Sequence, residues 1–238
     1  IQGGSRGNVV MAKCRCVIDG EISAHNKDAQ IEVKDGKTYI TAYGKPAHAS
    51  TPWEGDNALW HMLDVLSDAL GGRYSFLKDK LAHNDGSGAD VKLCDEKSGK
   101  LTFNIEKDSE GKDALHLIID VRHPVTYTKE DILQRLLTSL GAREVKVRNF
   151  HDPLYIDSNN KLVQDLLLAY NQVTGEDAKP ITIGGGTYAR ALKCGVAFGP
   201  IFPGMESTIH QKDERVSIKD FKKMYDVYYA AIKKLLFA

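Results

Sequence analysis

His48 stands between two alanines in the stretch Gly44-Lys45-Pro46-Ala47-His48-Ala49-Ser50-Thr51-Pro52. Small neighbours leave the imidazole room to protrude, and the two prolines stiffen the backbone that carries it. An imidazole held in this way can donate to a substrate carbonyl or to a developing oxyanion; a His that caps a turn or packs locally has the same surroundings. Arg122 closes the apolar run LHLIIDV, just before His123-Pro124. A guanidinium at a strand end can grip a carboxylate through two parallel N–H bonds, or end in a surface ion pair. Gly184, Gly185 and Gly186, followed by Thr187, let a ligand approach the backbone closely and open a helix whose N–H groups would favour an anion. The pattern is neither a P-loop nor a dinucleotide fingerprint, so a carboxylate suits it as well as a phosphate, and a tight turn between strand and helix accounts for it equally. His210 lies in Ser207-Thr208-Ile209-His210-Gln211-Lys212-Asp213-Glu214. Zinc takes three or four protein ligands, and no HExxH or HxH accompanies this His, so a structural role stays open. Asp120, Glu206, Asp213 and Glu214 are the nearby acids; no two of them have a spacing that sets a carboxylate pair on one metal.

The elements that must position these residues are legible from periodicity. Residues 9–18 and 29–43 read as strands, the second interrupted by the turn Lys34-Asp35-Gly36-Lys37. Ala58, Leu59, Met62, Leu63, Leu66, Ala69 and Leu70 recur at helical spacing up to Gly71-Gly72. A polar excursion covers 82–99, and strands follow at 101–106 and 114–122. Thr128 with Asp131 forms a capping-box pattern at the head of a helix over 128–140, and 144–148 reads as a short strand. After Phe150-His151-Asp152-Pro153 the texture changes. Helix 161–173, strand 181–183, the glycine loop, helix 187–193, strand 195–199 and a long helix 218–236 follow. In that last helix Phe221, Met224, Tyr225, Tyr228, Ile232 and Leu235 make an apolar stripe. The expected fold class is α/β: first a sheet with helices on one face, then a layered α/β piece, with the boundary near 152.

Composition narrows the function classes. Of 238 residues, 42% are hydrophobic and 27% charged, and the formal net charge is zero, so nothing favours nucleic acid or an anionic membrane as a partner. Apolar runs fall short of the ~20 residues that a spanning helix needs. Cys14, Cys16, Cys94 and Cys194 have no zinc-finger or CxxC spacing, which fits reduced thiols and a cytoplasmic setting. The opening IQGGSRGNVV has no apolar h-region and runs directly into a strand, which suggests a fragment.

Seven stretches, taken in order, carry a resemblance: GGSRGN at 3–8, GKPAHASTPWEGDNAL at 44–59, DVRHP at 120–124, DPLY at 152–155, GGGTYAR at 184–190, GVAFGPIFPG at 195–204 and HQKDE at 210–214. Together they resemble the M20 family of metallopeptidases, and within it the PepV-like branch of cytosolic dipeptidases that includes the Xaa-His (carnosinase-type) enzymes. The resemblance implies that residues 1–151 are most of an inserted α+β lid domain, and that 152–238 are the C-terminal segment of an α/β catalytic domain. It implies two zinc ions per intact site, with His210 as a metal ligand and His48 as the lid His that stabilises the tetrahedral intermediate. Asn8, Arg122 and Gly184–Thr187 fall where the family binds substrate, although NVVM stands where Asn-Met-Val-Pro is usual. The family's other metal ligands and its general-base Glu belong upstream of the stretch matched here. The expectation is a piece of a monomeric dipeptidase for peptides with a free C-terminal carboxylate, inactive and without zinc by itself. The alternatives are a non-catalytic binding or dimerisation module, and a relative acting on acylated amino acids or longer peptides.

Overall fold

In the computed structural model, which describes residues 1–238 apart from 5–7, 111–113, 200, 207, 209–212 and 238, the chain divides into two units, Ile1–Pro153 and Leu154–Ala238. The strands of the first unit are β1 (Gln2–Gly3), β2 (Lys13–Asp19), β3 (Ala29–Lys34), β4 (Lys37–Tyr43), β5 (Cys94–Asp95), β6 (Gly99–Lys100), β7 (Thr102–Glu110) and β8 (Leu115–Arg122). β5 and β6 form a small hairpin; the others join one sheet in the order β3-β4-β2-β1-β7-β8, every neighbouring pair antiparallel.

Alternation decides which face of this sheet is dry. Cys14 and Cys16 of β2 sit opposite Ala42 and Ile40 of β4, and all four are buried, while Lys13, Arg15 and Val17 between them are exposed. Phe103 and Ile105 of β7 belong to the same core. Helix α1 (Ala58–Leu70) lays Leu59, Met62, Leu63 and Leu66 into it, each fully buried. Each such side chain contributes about 1.5–3 kcal/mol of burial. Asn57 caps α1 by accepting the Leu59 N–H, and its amide donates to the Ile105 carbonyl at 2.9 Å, which ties the helix start to β7.

Gly71 and Gly72, both at positive φ, do not end the helical region but turn it into α2 (Arg73–Leu81), which periodicity did not predict. Only Leu81 of α2 is fully buried, so this helix lacks the apolar stripe that sequence reading depends on. Trp60 Nε1 donates to the Leu81 carbonyl at 3.1 Å and closes α2 onto α1. The helix α3 (Lys129–Leu140) carries the Thr128–Asp131 capping box and buries Ile132 and Leu136. Residues 144–148, expected as a strand, are irregular and largely exposed, with no paired neighbour among the described residues. The fold is thus mixed, of α+β character, with helices packed on one sheet.

The second unit holds α4 (Lys161–Thr174) and α5 (Ile218–Phe237), packed through Leu166, Ala169 and Ala231. Asn160 caps α4, and Gly175 ends it in the left-handed conformation. The strands expected at 181–183 and 195–199 are not formed: a strand needs a hydrogen-bonded neighbour, and the described residues of this unit supply none. The helix expected over 187–193 is a single 3-10 turn, Tyr188–Ala191. On α5 the buried positions are Val227 and Ala231, whereas Phe221, Tyr225, Ile232 and Leu235 of the expected stripe are exposed. Among the described residues no helix is long and apolar enough to cross a membrane.

Candidate active site

Two glycines let the His48 segment pack tightly. A Cβ on Gly44 would lie 2.2 Å from the Asp56 carbonyl, and one on Gly55 would lie 2.7 Å from that of Lys45. With those positions bare, Lys45 and Asp56 exchange two main-chain hydrogen bonds of 2.8 Å. Residues 8–12 then zip along the same segment. Gly44 N–H donates to Ala12, Val10 N–H to Ala47, and Ala49 N–H to Asn8, at 2.9–3.0 Å, so that Val9 and His48 form an antiparallel bridge. Ala49 is buried beneath this ribbon, and His48 on top of it is exposed. Asn8 turns the chain at φ 60°, a left-handed conformation that Asn tolerates better than most residues.

The ring of His48 is oriented from below. Ser50 N–H lies 3.1 Å from Nδ1 and Ser50 Oγ lies 2.7 Å from it. A backbone N–H can only donate, so Nδ1 is the acceptor and the proton of the neutral ring sits on Nε2. Ser50 was not singled out in the sequence, where one hydroxyl among small residues carries no signal of its own.

Arg122, at the end of β8, forks onto Asp120 through Nε (3.2 Å) and Nη2 (2.9 Å). The two side chains are 21% and 15% exposed, so this is a largely sheltered pair rather than a surface one. Across the ladder, Thr102 faces Arg122 and Asn104 faces Asp120. The next polar residue along β7, Glu106, accepts the Asn8 main-chain N–H. Burial pushes the Glu106 carboxyl above its ordinary range; the Asn8 N–H opposes this, the Asp120 charge adds to it and the Arg122 charge opposes it. Asn8, His48 and Arg122 therefore belong to one neighbourhood, joined through Glu106, a residue that alternation reads as an ordinary outward-facing position.

The glycine loop belongs to the second unit. Gly184 and Gly186 are exposed, and a Cβ on Gly186 would meet the Arg190 guanidinium at 2.4 Å. The helix N-terminus expected to collect N–H groups there is replaced by the four-residue 3-10 turn Tyr188–Ala191 after Thr187. His210 lies outside the described residues.

The model of peptidase family M20/M25/M40 matches residues 3–234. This chain belongs to that family. Relatives of this M20 chain include the protein named "Putative dipeptidase YtjP" from Bacillus subtilis, 34% identical over 258 aligned positions that cover 98% of this chain and 54% of that protein. "Putative dipeptidase SH1171" from Staphylococcus haemolyticus is 30% identical, covering 90% of this chain and 48% of its own length. "Putative dipeptidase SAUSA300_1697" from Staphylococcus aureus is 32% identical, with 85% and 45% covered. The M20 chain thus spans about half the length of the curated relatives it matches.

M20 peptidases are generally metal-dependent. Among the described residues, no three His, Cys, Asp or Glu side chains converge into a group that could hold a metal ion. These residues by themselves do not fit a zinc pair.

Proposed function

We propose that this chain is part of a di-zinc dipeptidase, with residues 1–151 as its lid and residues 152–238 as a segment of its catalytic domain. The substrate would be a dipeptide with a free C-terminal carboxylate, handled in the cytoplasm by a monomeric enzyme. Membership of the M20 family and the dipeptidase names of its relatives support the reaction class. The observation that carries the residue assignments is the pairing of His48 with the Asn8–Val10 segment, together with the Ser50 contacts that leave Nε2 as the ring donor.

In this reading, His48 Nε2–H donates to the oxygen that becomes the oxyanion. A donor fixed in advance acts there without reorganisation. Arg122, oriented by Asp120, holds the substrate carboxylate, and the Asn8 side chain contacts the peptide. Gly184–Thr187 would take part in substrate binding through main-chain N–H groups, and His210 would be one of several ligands to zinc. The remaining ligands and the base that activates water would come from outside these 238 residues, so the chain alone would neither retain zinc nor turn over substrate.

The test compares the 238-residue chain with the same protein extended to the length of its relatives. Zinc content and hydrolysis of a panel of dipeptides are measured for both. Two zinc ions and activity in the extended protein only are the expected result. Metal-dependent activity in the short chain would overturn the ligand assignment, and a metal-free, inactive extended protein that forms a stable dimer would favour a binding or assembly module.

A further inference from the structure

Thr102, Asn104 and Glu106 form a polar column on β7, alternating with the core residues Phe103 and Ile105. The three are only 7%, 2% and 9% exposed. Burying polar side chains along a strand costs stability unless they are satisfied, so such a column calls for a purpose beyond packing. Two of its members reach the same piece of chain. Asn104 Nδ2 donates to the Val9 carbonyl at 3.4 Å, and Glu106 accepts the N–H of Asn8. The column is therefore the floor on which the segment paired with His48 rests.

Glu106 owes its place to an irregularity. The β7–β8 register runs Ile105 against Ile119 and then Lys107 against Ile118, which leaves Glu106 as the extra residue of a β-bulge. A bulge re-aims the side chain it carries and bends the strand locally. On its other side the column faces β8, where Asp120 stands opposite Asn104 and Arg122 opposite Thr102, and the Asp120 and Arg122 charges act on Glu106 in opposite senses. Asp120 is in turn held by the Arg122 fork. Contacts run from His48 through Ala49 and Asn8 to Glu106, and the Asp120–Arg122 pair stands across the ladder from Asn104 and Thr102 of the same column.

We infer that Glu106 is a positioning residue, holding the Asn8–His48 segment in register with the Asp120–Arg122 pair so that imidazole and guanidinium are presented as one rigid set. The inference rests on the proposed roles of His48 and Arg122 and extends them: Glu106 touches neither substrate nor the reacting atoms, and acts through the backbone of Asn8. The consequence is geometric. Displacing a catalytic donor by about 1 Å can cost on the order of 100-fold in rate, and Glu106 and Asn104 are the two side chains of β7 that hold this segment among the described contacts.

The experiment uses Glu106→Ala and Glu106→Gln, read in two ways. In the 238-residue chain, His48 ring nitrogens and the Ala49 amide are followed by NMR, with the amides of Ile40 and Leu63 as core controls. Glu106→Ala is expected to shift the His48 ring resonances and to speed exchange of the Ala49 N–H at least about tenfold, as an opened local structure does. Glu106→Gln keeps an oxygen for the Asn8 N–H and is expected to restore both. In the extended enzyme, Glu106→Ala should lower kcat roughly 10- to 100-fold, and Glu106→Gln should stay within about 3-fold of the parent. An unchanged His48 and Ala49 in Glu106→Ala overturns the inference. If Glu106→Ala loses its core signals, Glu106→Asp withdraws the oxygen by one methylene, and the same shifts at His48 and Ala49 are required of it. A parent enzyme that cleaves no dipeptide would remove the functional proposal, while the NMR comparison still decides the role of Glu106.

Discussion

Ser50 donates its main-chain N–H to Nδ1 of His48 at 3.1 Å, which makes Nε2 the proton-bearing nitrogen of the neutral ring. Ser and His two residues apart in a stiff loop thereby settle a tautomer that no pattern in the sequence specifies. If His48 is the oxyanion donor, His48→Ala should lower kcat of the extended enzyme by about 100- to 1,000-fold, with a much smaller change in KM. Ser50→Ala removes the hydroxyl contact and keeps the N–H, so its effect should stay within about tenfold. Steady-state kinetics on one dipeptide, with circular dichroism to confirm folding, checks both. A His48→Ala enzyme with full kcat would end the assignment.

If Arg122 holds the substrate carboxylate, it gives a different signature, because that contact is the same in ground state and transition state. Losing a charge-assisted hydrogen bond of about 1.5–3 kcal/mol should raise KM for dipeptides roughly 10- to 100-fold in Arg122→Ala, with kcat less affected. Arg122→Lys keeps the charge but loses the fork onto Asp120, so it should recover only part of the affinity. Arg122→Ala also strands the Asp120 carboxylate, 15% exposed, at a cost on the order of 3 kcal/mol, visible in urea denaturation of the short chain. A KM unchanged towards dipeptides would show that the carboxylate is bound elsewhere.

Gly44 tests whether the tight approach of two segments matters to the site. A Cβ there would meet three main-chain atoms, the Asp56 oxygen at 2.2 Å, the Ala58 nitrogen at 2.7 Å and the Met11 oxygen at 3.0 Å. Backbone cannot swing aside as a flexible side chain does, so Gly44→Ala should cost about 1–3 kcal/mol through overpacking. The displaced Lys45–Asp56 pairing should also carry the His48 loop with it and lower kcat. The urea midpoint measures the first effect and steady-state kinetics the second; wild-type values for both would mean that the loop is set by other contacts.

Much of this was legible in the sequence, and the losses have physical causes. Helices α1, α3, α4 and α5 show as periodic runs with caps, since amphipathicity and capping are local properties. The β7–β8 ladder shows as alternating and continuous apolar runs. The helix α2 escaped because RYSFLKDKL buries one residue fully, and the stretches at 181–183 and 195–199 were over-read because apolar residues without a paired neighbour do not make a strand. The stripe on α5 is legible as periodicity, but which residues are buried depends on packing partners: Ala231 packs with Leu166 and Ala169 of α4 and Val227 is buried, while Tyr225 stays 66% exposed. At the candidate site, His48 and Arg122 stand out from their types and neighbours alone, each with a structural alternative beside the functional one. Glu106 was hidden, because its place follows from a bulge and from the return of residues 8–12 across β7, both of them non-local.

Asp95 offers the last test, on the support of the Arg122 strand end. It accepts hydrogen bonds from Ser98 and, across the turn, from both the N–H and the hydroxyl of Thr126, while Val125 N–H donates to Ser98 Oγ. Desolvation works to raise this carboxyl, but the Ser98 and Thr126 donors prevail and hold it at about 2, against an ordinary 3.8. A depressed carboxyl favours the folded state above the unfolded value, and that contribution fades as pH falls from 3.8 through about 2. Asp85, also held at about 2 beside Lys92 and Ser87, fades over the same window, so the informative quantity is the difference between variants. In Asp95→Asn the melting temperature should fall by a few degrees at pH 6, and its decline between pH 4 and 2 should be shallower than in the parent. Thermal unfolding followed by circular dichroism across that range provides the comparison. Parallel curves for parent and variant would show that the Asp95 contacts with Ser98 and Thr126 add nothing that protonation removes.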